Sequence, residues 1–186
     1  MADTLHMLTA LGAAEPMTHQ IGTVAVTERF DVAIASLACR MGRDADVEAA
    51  AKRASIPLPA PASWQGGSPF SAFWVASEMW LVEAPFASHE DIVSHLKPIF
   101  GDAASITEQT DAWVRFDLSA PDLSALMERL CNVDFPKAAD GLATRTVVEH
   151  TGCYLIKHGA GAVTVYGPRS SARSLLHAIE VAAKSL

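Results

Sequence analysis

Positive charge is scarce in this chain. Fourteen lysines and arginines face twenty-one aspartates and glutamates, leaving a formal net charge of −7, and no basic run occurs in the 186 residues. A nucleic-acid binder neutralises phosphates with a basic patch, and an anionic membrane surface attracts the same kind of segment. The charge balance argues against both partners. Long apolar runs are also missing: none approaches the ~20 residues that span a bilayer. The start, MADTLHMLTALGAAEPM, has no basic stretch ahead of its apolar residues and carries Asp3 early, so a signal peptide is not expected. We expect residues 1–20 to be a leader on a cytoplasmic protein. Cysteine is limited to Cys39, Cys131 and Cys153, an odd number without a CxxC pair. That excludes a disulfide framework and the usual zinc or redox spacings, and predicts buried apolar thiols.

What the chain does have is apolar content. Half of its residues are hydrophobic and 19% are charged, which excludes general disorder. Such a length buries a sizeable core, and the apolar surface left over favours a lasting protein partner.

Periodicity places a first strand in GTVAVTERFDVAIASL and a helix in RDADVEAAAKRA, with Val47, Ala50, Ala51 and Ala54 on one side. Residues 55–70, rich in Pro, Gly and Ser, read as a loop. SAFWVASEMWLVEAP is a hairpin turning at Ala76-Ser77-Glu78 and closed by Pro85. In SHEDIVSHLKPIF, Ser88 is the expected N-cap of a helix that Pro98 should kink or end. DAWVRFDLS predicts a strand over 112–118 with Trp113, Arg115 and Asp117 on one face. APDLSALMERL predicts a helix with Pro121 in its first turn and Leu123, Leu126, Met127 and Leu130 inward. Strands in TRTVVEHTGCYLIKHGAGAVTVYGP are separated by HGAG, and SSARSLLHAIEVAAKSL is an amphipathic helix. The unit β-α-β-β-α is thus used twice, about 21–102 and 103–186, within one α+β domain over 21–186. A duplicated ferredoxin-like fold, with antiparallel sheet and helices on one face, is the expectation.

Chemistry is harder to find. His89 and His95 are six apart, which puts them on different faces of one helix, and His150, Cys153 and His158 offer only a loose three-ligand grouping. GxSxG and Walker motifs are absent, and GAGAVTVYG lies between strands rather than opening a helix. Asp111, Asp117, Asp122 and Asp134 could include an acid–base pair, although Asp122 suits a helix first turn and Asp117 a strand end. Arg169 and Arg173 flank a helix start, where free N–H groups favour an anion; internal or interfacial salt bridges are the other reading. Trp64, Trp74 and Trp80 serve as core or interface anchors. Arg115, Arg169, Arg173, Trp64 and Trp74 are the interface or anion candidates, and no residue is assigned as catalytic, cofactor-binding or metal-ligating.

TEQTDAWVRFDLSAPDLSALMERLCNVDF, TRTVVEHTGCYLIK and YGPRSSARSLLHAIEVA together resemble the gamma subunit of heterotetrameric sarcosine oxidase, over residues 65–186 and more loosely before them. The small subunit of the N-methylglutamate dehydrogenase complex is similar, and both stay open. The resemblance implies a complex of four different subunits that oxidatively demethylates an N-methyl amino acid. In that complex sarcosine becomes glycine and the one-carbon unit passes to tetrahydrofolate. It also implies FAD, FMN, NAD and the folate site on the alpha and beta subunits and zinc on delta, with nothing assigned to gamma. The implied fold is similar to the folate-binding part of aminomethyltransferases. On this reading Arg115 and Asp117 are fold or interface residues and turnover belongs to the partners. Two other readings compete: a stand-alone folate- or anion-binding protein using Arg169 and Arg173, and, by fold analogy, a regulatory ligand-binding module.

Overall fold

The computed structural model describes residues 7–186. The described residues fold into two compact units: a terminal unit drawn from residues 7–30, Ala112–Ala138 and Thr146–Leu186, and an inserted unit from Asp31–Asp111 and Ala139–Arg145. The first six residues of the expected leader lie outside the described residues. Residues 9–17 form a turn and an extended stretch, with Thr9 buried and Leu11 and Met17 packed on the terminal core.

The hairpin β1 (Thr18–Ile21) and β2 (Val24–Arg29) comes next, then β3 (Val32–Cys39). The continuous first strand expected over 22–37 is therefore two strands in two different sheets. No glycine or proline marks the break at Phe30-Asp31, and the apolar alternation runs through it, so local pattern cannot show it. Pairing does: β2 joins β8 (Trp113–Ser119), whereas β3 joins β6 (Met79–Pro85) and β7 (Ala104–Glu108).

The inserted unit runs β3, α1 (Asp44–Ala54), β4 (Trp64–Gln65), β5 (Ser71–Ala76), β6, α2 (Phe86–His89), α3 (Ile92–Phe100) and β7. Its sheet order is β4-β5-β6-β3-β7. Val47, Ala50 and Ala51 of α1 and Ile92, Leu96 and Phe100 of α3 bury against Ala33, Ala35 and Leu37 of β3. The single helix expected from Ser88 is broken in two. Ser88 lies inside α2, and Asp91 caps α3, its Oδ1 accepting from Ser94 N at 3.1 Å. An aspartate satisfies an otherwise orphaned N–H at such a position. The break also corrects the placement of the histidines: the chain turns at Glu90-Asp91 and brings the His89 and His95 rings to 4.5 Å. Pro98 sits inside α3, which runs two residues further and stops at Gly101, whose φ of 50° suits glycine.

The terminal unit continues with β8, α4 (Ser124–Leu130), β9 (Ala143–Val148, in this unit from Thr146 on), β10 (Thr151–Gly159), β11 (Ala162–Pro168) and α5 (Ala172–Lys184). Its sheet order is β1-β2-β8-β11-β10-β9. Leu123, Leu126, Met127 and Leu130 are buried as predicted, against Phe116, Leu155, Val165, Leu175 and Ile179. Helix α4 starts later than expected, beyond Pro121. Residues 120–123 instead bond to the β10–β11 turn, with Ala120 N on Gly161 O at 3.1 Å and Leu123 N on Ala160 O at 2.9 Å. A methyl at Gly161 would overlap the Ala120 carbonyl oxygen, which is why glycine stands there.

With the edge strands β4, β9 and β1 set aside, the pattern in each unit is strand–helix–strand–strand–helix, and a further strand lies beside the first. Strand β7 lies beside β3, and β2 beside β8. The class is α+β with two antiparallel sheets, built from ferredoxin-like units. Among the described residues no helix is long and apolar enough to cross a membrane.

Candidate functional site

Strand β8 alternates as its sequence predicts. Val114, Phe116 and Leu118 enter the core, and Trp113, Arg115 and Asp117 lie on the other face. Register sets their neighbours. Arg115 lies opposite Arg29 on β2 and opposite Tyr166 on β11, and Asp117 lies opposite Thr164.

Asp117 is the hub of this face. Its Oδ1 accepts from Arg115 Nε at 2.9 Å and from Thr164 Oγ1 at 2.7 Å. Its Oδ2 accepts from Arg115 Nη2 at 3.2 Å and Arg29 Nη1 at 3.3 Å. A carboxylate has about four acceptor sites, so these four donors fill it. A carboxylate so engaged is poorly placed to take a proton from a substrate; it holds two guanidinium groups of like charge side by side. Arg115 extends the network through Nη1 to the Tyr166 hydroxyl at 3.2 Å, with its guanidinium 5.7 Å from that ring centre. His158 Nε2 lies 3.0 Å from Thr164 Oγ1. Tyr166 and Thr164 are buried, whereas the Arg115, Asp117 and Arg29 side chains are partly exposed, so the network runs from the interior to the surface. At the end of the strand, Trp113 meets Tyr154 edge-on at 5.5 Å, and its buried Nε1 has no hydrogen-bond partner among the described residues.

Arg169 lies in a 3-10 turn that leads directly into α5. Arg169 Nη2 donates to Leu8 O at 2.7 Å, and Arg173 Nη2 donates to Leu11 O at 3.3 Å. Both cations thus reach backbone carbonyls of the N-terminal segment. Glu28, buried on β2, accepts from Leu11 N at 3.0 Å and Met17 N at 3.4 Å, clamping the same segment from its N–H side.

Trp64 and Trp74 belong to the inserted unit, apart in the chain's division from the three arginines. Trp64 N donates to Gly141 O at 2.8 Å, and Trp74 N to Ser63 O at 3.0 Å. Trp74 faces Trp80 across the β5–β6 pair, and Trp80 Nε1 donates to Pro59 O at 2.8 Å. The 55–70 loop is thereby tied down through its backbone.

Other chemistry considered from sequence is dispersed. His150, Cys153 and His158 do not form a ligand set: Cys153 points into the core, and His158 joins the Asp117 network. Among the described residues no group of three or more His, Cys, Asp or Glu gathers. All three cysteines are free, and burial pushes the Cys153 thiol up to about 11. The hydrogen bonds from Ser124 N and Oγ hold the Asp122 carboxyl below its ordinary range, which fits a turn residue preceding α4.

Sequence reasoning missed Arg29, Thr164 and Tyr166, and placed His158 only in a loose metal-ligand grouping, because strand pairing rather than spacing assembles them. It also missed Lys157. This buried amine donates to Phe135 O at 3.1 Å and Ala138 O at 2.6 Å and holds the 131–141 loop. An open groove of about 570 Å³ lies between the end of α4, the β9–β10 turn and α5, lined by Arg129, His150 and Val181 among others.

No family model and no curated protein matches the sequence. Solved structures do match in fold. A chain of the heterotetrameric sarcosine oxidase from Corynebacterium sp. U-96, in complex with pyrrole 2-carboxylate, superposes with a TM-score of 0.75. The match has 16% identity and covers 90% of this chain and 87% of that one. Aminomethyltransferase T of the glycine cleavage system from Bartonella henselae superposes with a TM-score of 0.55 at 13% identity, covering 84% of this chain and 48% of that one. At these identities the likeness is one of fold.

Proposed function

We propose that this chain is a non-catalytic subunit of a heterotetrameric, flavin-dependent oxidase that demethylates an N-methyl amino acid, with sarcosine as substrate and glycine as product. In this reading it is the gamma subunit of a cytoplasmic complex. FAD, FMN, NAD and tetrahydrofolate sit on the alpha and beta subunits and zinc on delta. One observation carries the proposal: the fold matches a chain of a heterotetrameric sarcosine oxidase almost end to end, 90% of one and 87% of the other. The polar groups of β8 support it, because Asp117 is saturated by donors from its own fold. Of the five candidate residues, Arg173 is exposed and Trp64, Trp74, Arg115 and Arg169 are half-buried, so Arg173 is the most accessible to a partner. An N-methylglutamate dehydrogenase-like complex is the same proposal with a different amine. Co-expression with the three other subunits tests it: co-elution as one species supports it, and a chain that elutes alone at unchanged volume refutes it.

A second reading rests on the aminomethyltransferase likeness: a stand-alone folate- or anion-binding protein with Arg169 and Arg173 on the ligand's carboxylates. The residues do not fit as they stand, since both guanidinium groups are directed at Leu8 and Leu11 carbonyls. A ligand there would first displace the N-terminal segment. Equilibrium dialysis of the isolated chain against tetrahydrofolate tests this, and retention of the folate would favour it over the subunit reading.

A further inference from the structure

The α2–α3 junction places two imidazoles side by side in an accessible position. The His89 and His95 ring centroids are 4.5 Å apart with their planes at 44°. Phe70, itself buried, meets His89 edge-on at 5.1 Å and restrains that ring. His95 is exposed on α3. Ser88 adds a second constraint. Its Oγ lies 2.8 Å from His89 Nδ1 and donates to Pro85 O at 3.4 Å. A serine hydroxyl has a single hydrogen. When that hydrogen is on the Pro85 carbonyl, Oγ accepts from Nδ1–H and the free lone pair of His89 is on Nε2.

We propose that His89 and His95 chelate a divalent transition-metal ion of tetragonal preference, Cu2+ or Ni2+, with water in the remaining positions. Imidazole suits these ions, and tetragonal geometry places neighbouring ligands at right angles. With metal–nitrogen bonds of about 2.0–2.1 Å and ring centres about 1.1 Å beyond each nitrogen, two imidazoles at a right angle have centroids about 4.5 Å apart. A tetrahedral angle would spread them to about 5.2 Å. The observed centroid spacing of 4.5 Å is compatible with the right angle. Ser88 plays the part of an outer partner, which fixes the tautomer and orientation of a ligating histidine. Among the described residues no third His, Cys, Asp or Glu joins the pair, which leaves the remaining positions to water.

The test is titration of the full chain with Cu2+ against glycine as a competing chelator, with electron paramagnetic resonance on the bound ion. The expected result is one equivalent of Cu2+ with hyperfine coupling to two nitrogens. His89→Ala and His95→Ala should each weaken binding at least ~10-fold, Ser88→Ala should weaken it up to about 10-fold, and His177→Ala, exposed on α5, should leave it unchanged. Circular dichroism checks that each variant folds, and His95, being exposed, is the safer of the two. Failure to take up one equivalent, coupling to a single nitrogen, or affinity within twofold of wild type in the His95→Ala protein would each overturn the proposal.

Discussion

Replacing Asp117 by alanine removes the acceptor that Arg29, Arg115 and Thr164 share and leaves two guanidinium groups facing each other across paired strands. Breaking a buried pair by deleting one partner costs about 3–5 kcal/mol. Here water reaches part of the site: the side chains of Asp117 and Arg115 are 27% and 18% exposed. Both arginines also keep other interactions. The expected loss is therefore smaller, about 2–4 kcal/mol. For a chain of this length that corresponds to a fall in Tm of roughly 5–12 °C. Two further variants separate charge from shape. Asp117→Asn keeps the volume but loses the charge and should fall between wild type and alanine. Thr164→Val removes one donor to Asp117 and the contact with His158, and should cost about 1–2 kcal/mol. Urea unfolding followed by tryptophan fluorescence measures all three. If Asp117→Ala lies within about 0.5 kcal/mol of wild type, the range of ordinary surface substitutions, then the network does not hold this face and the reasoning fails.

Trp113→Ala should cost about 2–4 kcal/mol, somewhat less than a fully buried ring, because Trp113 is half-buried against Tyr154; thermal unfolding reads it, and normal stability with impaired assembly would move the residue to an interface. Lys157→Ala strips the Phe135 and Ala138 carbonyls of their donor and should cost about 1–3 kcal/mol, with faster proteolysis within 131–141; unchanged cleavage there counts against the anchoring role. Cys153 keeps its proton more tightly in the folded state, with its pKa raised from 9.0 to about 11. The unfolded chain ionises first, so this contribution is complete below pH 9 and is lost as the pH rises toward 11, and stability should decline across that window. A Cys153→Ala chain that declines equally across it contradicts the assignment. Arg169→Ala with Arg173→Ala should speed amide exchange in residues 8–17, where both side chains bond backbone carbonyls; unchanged exchange shows that other contacts hold the segment.

The sequence displayed the fold wherever a local signal matched the tertiary outcome. Helices α1 and α5, the β5–β6 hairpin and the inward face of α4 follow directly from apolar spacing, and the strand–helix order revealed the duplication. Where local and long-range preferences diverged, it was silent. The break at Phe30-Asp31 carries no turn residue, so one apparent strand concealed the passage between two sheets. The turn at Glu149-His150 has both residues at positive φ, 46° and 67°, in place of the Asn-Gly pair that usually announces such a loop. Asp91 rather than Ser88 caps α3, because the chain first turns at α2. At the candidate site, alternation placed Trp113, Arg115 and Asp117 on one face but could not supply their partners. Arg29 and Thr164 come from strands far away in the chain, and only register brings them to Asp117.

Native mass spectrometry of the chain co-expressed with the alpha, beta and delta subunits of the oxidase tests the proposed role most directly. The expected result is a single four-component assembly containing one copy of this 19.7 kDa chain, with flavin on the large subunits and amine demethylation by the assembly alone. A free chain that stays out of the assembly, or one that demethylates an amine or transfers a one-carbon unit unaided, contradicts it.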